Sequence, residues 1–77
     1  MAISRKDALK QMNGVLRQVQ LHLEKLAARP DDRDAHGWKK EVRGWLRQIQ
    51  EYLPHVGKKT AAEWQARLDA CWSELGE

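Results

Sequence analysis

The sequence predicts an all-α protein, an up-down-up three-helix bundle built as one domain over residues 1–77. Apolar residues recur at helical spacing in three separate stretches, and no stretch shows the period-two alternation of a half-buried strand. The connections between the stretches are short, which favours antiparallel neighbours. A chain of 77 residues leaves no room for a second domain. It buries only about 60–65% of the surface exposed by its unfolded form.

The first stretch is Leu9, Met12, Leu16, Val19, Leu23 and Leu26, in alternating steps of three and four. Ala8 and Val15 widen the stripe, with His22 beside them. Ser4 with Asp7 three residues later reads as a cap followed by an acid in the first turn. Pro30 closes the run, because the residue before a proline is pushed towards extended geometry. The first helix is expected over residues 4–28.

Trp38, Val42, Trp45, Leu46, Ile49, Tyr52 and Leu53 form the second stripe, on a face about 120° wide. Pro54 stops it, giving a helix over residues 33–53. The third stripe is Trp64, Leu68, Cys71, Trp72 and Leu75. Thr60-Ala61-Ala62-Glu63 fits a capping box, Glu63 and Arg67 form an i,i+4 pair, and Gly76 supplies the stop. That helix is expected over residues 60–75.

The segment Asp31-Asp32-Arg33-Asp34-Ala35-His36-Gly37-Trp38 resembles the start of a calcium loop. Counted from Asp32, positions one, three and six match as Asp32, Asp34 and Gly37. Position five is His36, a poor ligand for a hard cation, and positions nine and twelve are Lys40 and Arg43. The match fails, and the segment reads as a helix start. Asp31 or Asp32 is its cap, and Asp34 is placed in the first turn.

No other chemistry assembles. His22, His36 and His55 make no H-x-x-x-H pair, Cys71 has no C-x-x-C partner, and the glycines form no phosphate loop. No catalytic residue, cofactor or metal ligand is assigned, and no enzymatic activity or small-molecule substrate is expected. His22 reads as a packing residue with no carboxylate placed to tune it, and Cys71 as a buried, inert thiol. The N-terminus lacks the apolar core of a secretory signal, and no run of apolar residues is long enough to span a membrane. With one cysteine, the expected compartment is a reducing cytoplasm.

Candidate contacts come from residues that the stripes do not explain. Trp38 and Trp64 lie in the first turns of their helices, where cover is expected to be thinnest, so either indole can anchor a partner. Leu21 and Gly14 share the outward side of the first helix, and Gly14 and Gly44 each cost about 1 kcal/mol relative to alanine. Lys40, Arg43 and Arg47, with Lys39 beside them, form a basic stripe on the second helix. Fourteen basic residues stand against eleven acidic ones, a net charge of +3. That stripe carries the alternative reading, a nucleic-acid-binding accessory protein.

His22-Leu23-Glu24-Lys25, Arg29-Pro30, Arg33, Trp38, Val42, Arg43, Ile49 and Leu53 resemble the bacterial family called domain of unknown function 29. The resemblance covers about residues 16–75, with Trp64 to Leu75 as the terminal helix. It departs at Leu26, where the family often has tryptophan, and at Gly37, where serine is usual. Members are commonly longer at the N-terminus. The resemblance implies an all-helical fold and supplies no catalytic residue.

The functional expectation is a small cytoplasmic module that binds protein, including a second copy of itself. At about 1.5 Å per residue the first helix reaches roughly 36 Å, against roughly 25–30 Å for the others. Its overhanging turns leave part of the Leu9–Leu26 seam exposed.

Overall fold

The computed structural model describes residues 3–76. Ser4 folds back on its own chain, its Oγ accepting the Asp7 N–H at 3.1 Å, and helix α1 runs from there over Arg5–Ala28. The last turn closes when the Arg29 N–H donates to the Lys25 carbonyl at 2.8 Å, just ahead of Pro30.

Helix α2 spans Ala35–Tyr52, two residues later than expected at its start, and its capping differs from the expectation. Asp34 stands at the N-cap position and makes no side-chain cap bond, and Asp31 is exposed. Asp32 instead accepts the Asp34 N–H on its Oδ1 at 2.9 Å, while its carbonyl accepts from Ala35 N–H. That is an Asx turn, in which a short carboxylate side chain mimics a turn of backbone before the helix begins.

Pro54 stops α2 as expected but does not release the chain into a loop. Leu53–His55 tighten into a 3-10 turn, and Val56, which no periodicity flagged, is fully buried. Gly57 then turns the backbone outward at φ 84°, a left-handed value that suits a residue without a side chain. Helix α3 starts immediately, over Lys58–Leu75, so the capping box expected at Thr60 is not used. Thr60 lies inside the first turn, where its Oγ1 accepts from Arg5 Nη2 at 3.0 Å. Gly76 ends α3 in the left-handed conformation, as the sequence suggests.

Three cross-contacts fix the topology. The Arg5–Thr60 bond joins the first turns of α1 and α3, so these two run parallel. His22 near the end of α1 meets Glu41 near the start of α2, and Gln50 near the end of α2 meets Gln65 near the start of α3. The bundle is therefore up-down-up.

One core holds it together. Ala8, Met12, Leu16 and Val19 from α1 meet Val42, Leu46 and Ile49 from α2, then Trp64, Leu68, Cys71 and Leu75 from α3. Leu53 and Val56 close one end. The body measures 41 × 22 × 14 Å, and its radius of gyration is 13.2 Å. A compact chain of this length should reach only about 11.5 Å. The excess reflects the long α1 and a gap along its C-terminal half.

Candidate functional site

That gap is an open groove of about 1010 Å³ between the C-terminal halves of α1 and α3. Its floor is apolar. Leu16, Leu23, Leu26 and Ala27 line it from α1, and Ala70, Cys71 and Leu75 from α3. Leu23 and Leu26 are only partly buried. Gln20 and Glu24 stand along the α1 edge, Arg67 and Glu74 along the α3 edge, and Lys39 and Pro30 at one end. Arg67 lies over the Trp64 ring, 5.2 Å from its centroid, rather than serving the expected pair with Glu63.

The ionisable residues of the groove lining are Glu24, Lys39, Arg67, Cys71 and Glu74. Burial pushes the Cys71 thiol above its ordinary value, with the nearby Glu74 carboxylate adding to the effect. Both influences disfavour the thiolate that a nucleophile requires. Among the described residues, no group of three or more His, Cys, Asp or Glu side chains is placed to hold a metal ion. No described helix is long and apolar enough to cross a membrane.

The candidate contact residues divide. Trp64 is only 4% exposed and belongs to the core, which corrects its reading as a surface anchor. The 3-10 turn and Val56 join Trp64 in that core, covering the first turns of α3 that were expected to be bare. Trp38 is partly buried, with Lys25 Nζ 5.8 Å from its ring centroid. Leu21 is 47% exposed and Gly14 is open, with nothing within 4 Å of an added Cβ. Helical spacing sets both on the side of α1 opposite the groove. Of the basic stripe, Lys40 and Arg47 are exposed, whereas Arg43 is half-buried and Lys39 contributes to the groove.

A second polar cluster ties α1 to α2, and it corrects the expectation that no carboxylate approaches His22. The Nε2 of His22 lies 3.0 Å from Glu41 Oε2, its Nδ1 lies 3.1 Å from the Gln18 carbonyl, and its ring meets Trp45 edge-on at 4.8 Å. A neutral imidazole carries one N–H and can satisfy only one of these acceptors at a time. Glu41 was invisible as a partner because it sits 19 residues along the chain.

The sequence points to α1 as the expected contact helix, and its apolar stripes do not mark the groove edge on α3. The available signal was the pair of alanines, Ala27 and Ala70, at positions where two parallel helices would otherwise need large side chains. No family model, curated protein or solved structure matches the chain, so the resemblance to domain of unknown function 29 stands on the residues quoted for it.

Proposed function

We propose that this chain is a small helical protein-interaction module that self-associates through the surface of α1. One observation carries the reading: the apolar seam from Leu16 to Leu26 continues into a groove that the chain's own third helix does not fill. Covering that floor removes apolar surface from water, the main favourable term in protein association. Ordered core on one side and polar residues along the edges are the anatomy of an interface patch.

The test is mass in solution, by sedimentation from low to high micromolar concentration, together with the melting temperature over the same range. Association predicts a rising mass and a melting temperature that climbs with concentration. A chain that stays monomeric throughout, with melting indifferent to concentration, removes self-association. A Leu23→Glu substitution, which places a charge on the groove floor, should lower the mass of any assembly towards that of the single chain.

A further inference from the structure

The α3 edge of the groove is self-complementary, and we infer that the occupant is the α3 helix of a second copy, running antiparallel across a twofold axis near Ala70 and Cys71. The inference rests on the proposed self-association and specifies its geometry. Arg67, Ala70, Cys71 and Glu74 all line the groove. Counted from the midpoint between residues 70 and 71, Arg67 lies three and a half residues to one side and Glu74 the same distance to the other. A twofold axis through that midpoint therefore sets Arg67 opposite the partner's Glu74, and Glu74 opposite the partner's Arg67. The contact is isologous, and each copy supplies both halves of both pairs.

Other arrangements lose this match. A parallel pairing of the same faces sets Glu74 against Glu74 and Arg67 against Arg67, and like charges at an interface are costly. The α1 edge favours the same polarity. Glu24 stands in the last turns of α1 as Glu74 does in α3, and the two helices run parallel. Both carboxylates thus lie towards the end of the groove that an antiparallel α3 fills with its Arg67 level. Ala70, exposed at the centre, lets the two backbones approach closely.

Two single charge reversals test the geometry. R67E sets glutamate against the partner's Glu74, and E74R sets arginine against the partner's Arg67. Each alone should weaken the dimerisation constant by about tenfold or more. Mixed in equal amounts they should restore it, because the mixed pair regains two opposite-charge contacts. Sedimentation of each variant and of the mixture reads the result. Circular dichroism melts confirm the fold, which the exposed positions of both residues should leave intact. R67K and E74D, which keep the charges, should associate like the parent.

If the parent associates but the mixture stays as weak as its components, the twofold α3 contact is wrong while self-association stands. If both reversals associate like the parent and Leu21→Glu alone dissociates it, the contact lies on the opposite side of α1 and the inference is overturned. A parent chain that is monomeric at every concentration overturns both readings.

Discussion

Cys71 and Trp64 lie two turns apart on one helix face, yet their surroundings differ in kind. Cys71 sits where the core gives way to the groove, and its thiol is held towards the neutral form by burial first and by Glu74 second. The sign of the resulting pH dependence follows from linkage. A folded-state value raised above the ordinary 9.0 contributes stability that is fully present below that pH and is lost as pH rises beyond it. Denaturation midpoints of the parent and of Cys71→Ala should therefore keep a constant separation through neutrality and change relative to one another only above about pH 9, the parent losing ground. A separation that already drifts between pH 6 and 8 would contradict the assignment. Cys71 was legible as a buried thiol because it falls on an unbroken stripe. Trp64 was misplaced because Leu53 and Val56, which precede its helix, join it in the core, and Val56 belongs to no periodic series.

At the scale of elements, the three helices were readable because each apolar stripe keeps its period to the end. Their starts were less so. Side-chain caps compete with turns that the same residues can form, and Asp32 spends its carboxylate on the turn before α2. Thr60 was read as a cap, but the tight 3-10 turn delivers the chain to helical geometry two residues sooner, and its hydroxyl serves Arg5 instead. The helices also contain avoidable weakness. An added Cβ at Gly14 or Gly44 meets nothing within 4 Å, and both positions are helix interior and exposed. Gly14→Ala and Gly44→Ala should each stabilise the fold by about 1 kcal/mol. For a domain this small, that raises the melting temperature by about 4–8 °C. Calorimetry checks the gain, and a loss at either position would show that a backbone passes close by in the folded assembly.

For the molecule as a whole, a single core makes a single transition the natural expectation. Leu68 is fully buried at its centre, and Leu68→Ala should cost about 2–5 kcal/mol. Total stability at about 0.05–0.15 kcal/mol per residue leaves little reserve, so the variant should unfold at a much lower denaturant concentration. Helix CD and tryptophan fluorescence should report the same midpoint; separate midpoints would mean that part of the bundle melts on its own. The groove was the least legible feature at this scale, since it is defined by the distance between two helices rather than by any residue pattern. Stripe periodicity says which side of a helix faces inward, but it does not say how closely parallel neighbours approach. The 14 Å thickness carries a consequence of its own. The buried interior of so thin a body is taken up by apolar side chains, and among the described residues no polar or charged residue is buried as a whole. Exposed charges on such a surface are screened by dissolved salt over a Debye length of about 8 Å at physiological ionic strength. Higher ionic strength should thus weaken both of the proposed Arg67–Glu74 contacts between copies together.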